Sequence, residues 1–169
     1  CIPVSSWVFP ENKAEGFYDY ATAKDVLAWH INYIGPYAYK KLANVQSKTR
    51  WGGLENASAI FYYENSVTGK GEREALIAHE EAHQWFGNSA TENDWHHVWL
   101  SEGFATYFTN LYLESNYGRG RLAEEEKKDQ IVSLNNLKES NIQKSTDALH
   151  SLQLAAVSNK NMFKELMEA

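Results

Sequence analysis

Two histidines four residues apart, His79 and His83, flank a glutamate at position 80. A helix turns once every 3.6 residues, so positions four apart point the same way, about 5.4 Å apart along the axis. Two imidazoles placed like this can close on one metal ion. Glu80 points roughly 100° round the helix from His79. That takes it off the ligand axis, yet leaves it near enough to accept a proton from an attacking water. The competing reading is an amphipathic helix with two half-buried histidines.

The surroundings favour the metal. His79-Glu80-Glu81-Ala82-His83 has the H-E-x-x-H form, in which two histidines bind zinc and the glutamate serves as general base of a protease. Catalytic zinc takes three protein ligands and keeps one position open. Glu102, with eighteen residues between it and His83, is the expected third ligand. It is expected to open a new helix, Glu102 to Glu114, with Ser101 as N-cap. Glu102 could instead be a first-turn acid complementing the helix dipole, but Gly103 directly after it suits that purpose poorly. Thr106, four residues on, is expected to face the histidines as a hydrogen-bond acceptor. His96 and His97 are adjacent, project in different directions, and read as surface or helix-entry residues. His30 and His150 have no ligand partner at readable spacing. Glu81 occupies a free position of the motif and reads as lying on a partly solvated face.

The elements that must position these groups can be sketched from periodicity. An extended opening, Ile2 to Phe9, stops at Pro10. A helix is expected from Thr22 to Ile34, with Val26, Leu27, Trp29, His30 and Tyr33 on one face. Pro36 can start a short second helix through Lys41. Leu42 to Ser47 and Ala59 to Tyr63 read as strands, separated by a bend at Trp51-Gly52-Gly53. From Glu72 a helical period carries Leu76, Ile77, Ala78, Ala82 and Phe86 to a stop at Gly87. From Arg121 onward charged and apolar residues alternate as in a helix, with a break near 140–145. The order is α+β, strands mixed with a helix first and helices afterwards, and not a doubly wound parallel sheet. One domain over 1–169 accommodates it, strand-rich over about 1–70 and helical over about 71–169.

Composition narrows the class. At 43% hydrophobic the chain is globular, and a net charge of −6 argues against nucleic acid as a partner. No apolar run has the length of a membrane span. A single cysteine, Cys1, gives no disulfide framework, and the compartment stays undecided.

Taken with its flanks, the central motif resembles the aminopeptidase N family of zinc metallopeptidases, within the gluzincins. Gln84-Trp85-Phe86-Gly87-Asn88 follows it as in that family, and Trp99-Leu100-Ser101-Glu102-Gly103-Phe104-Ala105 resembles W-L-N-E-G-F-A, with Ser101 in place of Asn. Upstream, Gly52-Gly53-Leu54-Glu55-Asn56 resembles the exopeptidase motif G-x-M-E-N, with Leu54 in the Met position. The likeness covers roughly Ile2 to Tyr117. It implies a thermolysin-like catalytic domain, a small mixed sheet followed by helices, holding one zinc per chain through His79, His83 and Glu102. It also implies that Glu80 is the base and that Gly52, Gly53, Glu55 and Asn56 bind substrate. Glu55 would receive the free α-amine of a peptide, and the glycines would let the backbone lie along it. Hydrolysis of amino-terminal peptide bonds would follow without a covalent intermediate.

The family also has an oxyanion-stabilising Tyr well past the third ligand. No Tyr follows Tyr117 here, and Phe163, near that place, has no hydroxyl. Truncation is the expected reason, with flanking domains of the parent protein missing. Two other readings fit the same residues: a hydrolase of small non-peptide substrates, as in the leukotriene hydrolase branch, and a non-enzymatic scaffold that retains the fold.

Overall fold

A computed structural model describes residues 1–128 together with 130, 131, 135, 139 and 143. The chain opens with β1 (Val4–Trp7), passes a 3-10 turn at Pro10–Asn12, and continues into α1 (Lys13–Asp19) and α2 (Ala23–Tyr33). Then come β2 (Leu42–Ser47), β3 (Gly53–Leu54) and β4 (Ala59–Tyr63), followed by α3 (Glu74–Ala82) and α4 (Val98–Tyr117). Residues 119–128 are helical again.

The sheet runs β1-β2-β4-β3. β1 lies parallel to β2 and β2 parallel to β4, while β3 is antiparallel to β4, with Gly53 opposite Tyr62 and Leu54 opposite Phe61. Parallel neighbours need a long crossover, and α1 and α2 supply one between β1 and β2. The short β3 is left as an edge strand with one backbone side unpaired in the sheet, beside α3.

A core of Tyr20, Val26, Leu27, Leu42, Ile60, Tyr62, Ile77 and Leu113 joins sheet and helices. Full burial of an aliphatic side chain of this size is worth about 1.5–3 kcal/mol. α3 is enclosed by α2, α4 and β3. Its residues Ile77, Ala78, Glu80, Glu81 and Ala82 are all buried. Fully buried alanines on both α3 and α4, Ala78, Ala82 and Ala105, suit close helix approach.

Several expectations need correction. The short helix from Pro36 does not form; Tyr37 turns inward instead and donates its hydroxyl to the Lys41 carbonyl at 3.2 Å. Six residues are too few to sustain a helix without such packing. α1 gave too weak a periodic signal to be read. The helix carrying the motif ends at Ala82, short of Gly87, because residues 83–90 form wider turns: the N–H groups of Asn88, Ser89 and Ala90 reach the carbonyls of His83, Gln84 and Trp85. Ser101 is not an N-cap. α4 begins at Val98, and Asp94 caps the preceding 3-10 turn by accepting from the His96 N–H. Glu81 lies on no solvated face: it is 0% exposed, because it sits on the buried face of the helix, with Ile77 and Ala78.

The compact unit formed by Cys1–Leu122 contains every site residue named above; a second unit comprises Ala123–Ala169. Of the expected later features, the described residues through 143 are helical, Gln143 among them although it falls in the expected break. His150 and Phe163 lie outside the described residues. Among the described residues no helix is long and apolar enough to cross a membrane.

Candidate metal centre

α3 presents His79 and His83 one turn apart, and α4 brings Glu102 to them. The two Nε2 atoms stand 3.1 Å apart, and a Glu102 carboxylate oxygen lies 3.2 Å from His79 Nε2 and 3.5 Å from His83 Nε2. Ligands about 2.0–2.2 Å from one tetrahedral ion stand roughly 3.4 Å from each other. Two imidazole nitrogens and one carboxylate oxygen at these separations therefore fit zinc in both geometry and donor type. They leave a fourth position open, as a catalytic site requires.

The histidines are oriented from outside the triad. His83 Nδ1 donates to the Phe86 carbonyl at 2.9 Å, which leaves its Nε2 lone pair facing Glu102 and His79. That carbonyl is held because the Phe86 ring stacks on Phe104 and Phe108 of α4, with centroids 4.8 and 5.1 Å away. Gly87 then adopts φ +122°, a conformation that favours glycine, and lets the chain leave the turn. Burial lowers the His83 pKa, but the hydrogen bonds to Glu102 and the Phe86 carbonyl outweigh it and leave a net rise. The Glu102 carboxyl is held well below its ordinary range by hydrogen bonds to His79 and His83, so it stays ionised.

Glu80 is 6% exposed. Burial pushes its pKa up to about 7, against the pull of His79 and His83, with Glu55 and Glu102 adding to the rise. A carboxylate poised there is well matched to accepting and returning a proton near neutral pH.

Its place depends on β3. A β-carbon added at Gly53 would lie 2.1 Å from the Glu80 carboxyl carbon and from one of its oxygens. The room left by the missing side chain is thus filled by Glu80. Gly52 meets only Leu76, at 3.8 Å from such an added carbon. The strand therefore tracks α3 in the same direction, with Gly52 beside Leu76 and Gly53 beside Glu80. Beyond them, the Glu55 backbone carbonyl accepts from Gln84 Nε2 at 3.2 Å and from Asn88 Nδ2 at 2.6 Å. Gln84 also accepts from the Ser58 N–H at 2.8 Å and reaches the Asn56 carbonyl at 3.4 Å. These bonds set Glu55 beside the turn that follows His83, next to the metal corner. Asn56 contributes through its backbone, its carbonyl accepting from Ala59 at 2.9 Å to close the turn into β4.

His79, Glu80, His83, Glu102, Gly53 and Glu55 thus converge. Thr106 makes no hydrogen bond to either imidazole among the described residues, and its expected role has no support in the contacts. His96 pairs with Asp94 at 2.6 Å on an exposed turn, apart from the triad. His30 is fully buried against Trp29, Trp85 and Tyr112, and burial pushes its pKa down to about 3, so it is a neutral core residue. Sequence reasoning missed the Phe86 carbonyl and the clamp formed by Gln84 and Asn88. Their only signal was that these residues stand in the run directly after the motif.

Comparison with known proteins agrees with this geometry. The sequence model of the peptidase family M1 domain matches residues 18–168. Glutamyl aminopeptidase of Bos taurus is 35% identical over 130 residues, which are 69% of this chain and 14% of that protein. Aminopeptidase N of Homo sapiens is 35% identical over 129 residues, 69% of this chain and 13% of its own length. The chain thus spans about one seventh of the length of these curated relatives. An M1 zinc metallopeptidase from Deinococcus radiodurans, solved as a mutant with a Tyr-Ser-Ala substrate, superposes with a TM-score of 0.52 at 30% identity. The match covers 64% of this chain and 24% of that one.

Proposed function

Because the chain belongs to peptidase family M1, a family of zinc metallopeptidases, we propose that it carries the catalytic centre of a zinc aminopeptidase. His79, His83 and Glu102 would hold one zinc, Glu80 would be the general base, and Gly52, Gly53, Glu55 and Asn56 would line the peptide. The observation that carries the reading is the convergence of three metal-type donors, spaced 3.1–3.5 Å apart, beside the buried Glu80 carboxylate. The family match crosses both compact units, which supports reading the chain as part of one catalytic domain, strand-rich over about 1–70 and helical over about 71–169.

Zinc bound by the triad would supply a Lewis acid that polarises the scissile carbonyl and makes water acidic enough to lose a proton near neutrality. Glu80 takes that proton and later returns it to the departing amine, which its position against β3 allows. The free edge of β3 offers backbone groups to an extended peptide. Glu55 receives the amino-terminal ammonium, charge against charge, at the end of the strand nearest His83. Glu102 remains ionised and keeps both imidazoles oriented.

The test uses the intact protein on aminoacyl chromogenic amides, with and without chelator, and on the same peptides acetylated at the amino terminus. Expected are turnover that a chelator abolishes and zinc restores, and a loss of activity on acetylated peptides. Glu55→Ala should lose about 2–5 kcal/mol of transition-state binding on free-amine substrates. Equal cleavage of acetylated and free peptides would make the protein an endopeptidase, with Glu55 a structural residue.

A further inference from the structure

Beside the start of β3 lies a cavity of about 230 Å³ lined by Gly52, Tyr63, Asn65, Ser66, Arg73 and Leu76. Nothing in the zinc chemistry uses it, yet it is in line with the centre. Arg73, Leu76 and Glu80 sit at i, i+3 and i+7, so they form one stripe along α3 and its approach. Glu80 meets Gly53 and Leu76 meets Gly52. Arg73 is the next group along that stripe, about 10 Å along the axis from Glu80 at 1.5 Å per residue. It is exposed, and no carboxylate among the described residues pairs with it. Its acidic neighbour Glu74 is already engaged by Thr22, Tyr112 and Tyr117.

The direction of the strand decides what this cavity sees. An extended peptide pairing antiparallel to β3, with its amine at Glu55, has its scissile bond opposite Gly53 and Glu80. Its following residues then run towards Gly52. At about 3.3 Å per residue, the second residue after the scissile bond comes within reach of the Arg73 guanidinium. We propose that Arg73 and this cavity form a downstream subsite for a carboxylate, carried by the second residue after the cleaved bond. The carboxylate is either the carboxyl terminus of a tripeptide or an acidic side chain in a longer one. The guanidinium is built for this, since it presents paired N–H donors to a carboxylate. The inference rests on the aminopeptidase reading above, which fixes the polarity of the peptide.

The experiment compares kcat/KM of the intact protein within matched pairs. X-Gly-Gly is set against its carboxyl-terminal amide, and X-Gly-Asp-amide against X-Gly-Asn-amide, where X is the residue whose p-nitroanilide is cleaved fastest. Wild type should favour the carboxylate member of at least one pair by about five- to tenfold, the first pair reporting chain ends and the second side chains. Arg73→Gln should bring that ratio to about one, and Arg73→Lys should keep part of it. Each ratio is internal to one protein, so partial misfolding of a variant cancels. Raising ionic strength should shrink the ratio in wild type without any variant. No preference in either pair, or one that survives Arg73→Gln unchanged, overturns the subsite. Absence of anilide turnover in wild type is a different result: it removes the aminopeptidase reading and the subsite with it.

Discussion

Glu80 and Glu81 are neighbours on one helix, of one residue type, and both buried, yet they face opposite environments. Glu80 looks toward β3 and the two histidines, whose pull partly offsets burial and leaves its pKa at about 7. Glu81 looks into the protein, where neither carboxyl oxygen has a hydrogen-bond partner among the described residues, and burial raises its pKa well above the ordinary range. A third buried carboxylate completes the series. Asp19 accepts from the N–H groups of Thr68, Gly69 and Gly71, and although burial pushes its pKa up, these bonds together bring it below the ordinary value. Burial alone therefore does not set the charge of a carboxyl group; the donors turned toward it do. A single step along α3 separates a group kept ready for proton transfer from one kept neutral.

The comparison can be tested at graded cost. His83→Ala should remove the metal outright, because it deletes a donor within 3.5 Å of both others; elemental analysis should find the zinc lost and turnover abolished. Gly53→Val should displace the Glu80 carboxyl without touching a ligand. About a hundredfold loss in kcat with zinc content unchanged is expected, since small misplacements of a reacting group cost that much. An unaltered kcat would mean that Glu80 has room the present packing denies it.

Glu81→Leu should go the other way. It replaces a buried carboxyl without partners by an apolar group of similar size and should raise stability by about 1–3 kcal/mol, read as a higher denaturation midpoint. A lower midpoint would show that Glu81 has a partner the packing does not reveal. Asp19→Asn should lower stability by about 1–3 kcal/mol near neutral pH. The folded pKa of Asp19 is depressed, so its contribution is present above the ordinary value of 3.8 and is lost as pH falls below it. The deficit of the variant should accordingly shrink in acid.

Much of this was legible in the residues. The spacing of His79, His83 and Glu102 announced a metal centre, and strands β2 and β4 matched the segments read from alternation. What sequence could not give was set by contacts between distant segments. Glu81 looked solvated because a free motif position says nothing of what covers it, and here packing of α3 against α2, α4 and β3 buries the face that carries it. The short edge strand at Gly53–Leu54 has too few residues for a periodic signal, and its pairing is fixed by β4. Ser101 carried a capping residue's chemistry, but the helix began earlier, and its hydroxyl bonds Glu92 at 2.9 Å and the Val98 carbonyl at 2.9 Å.

The central claim is that Glu80 moves the proton while other residues hold the zinc. Glu80→Gln in the intact protein tests it most directly, by metal analysis and turnover on an aminoacyl anilide in the same preparation. The account predicts one zinc per chain, as in wild type, with kcat lower by about a thousandfold or more. Turnover within tenfold of wild type, at full zinc content, would contradict it and require another base.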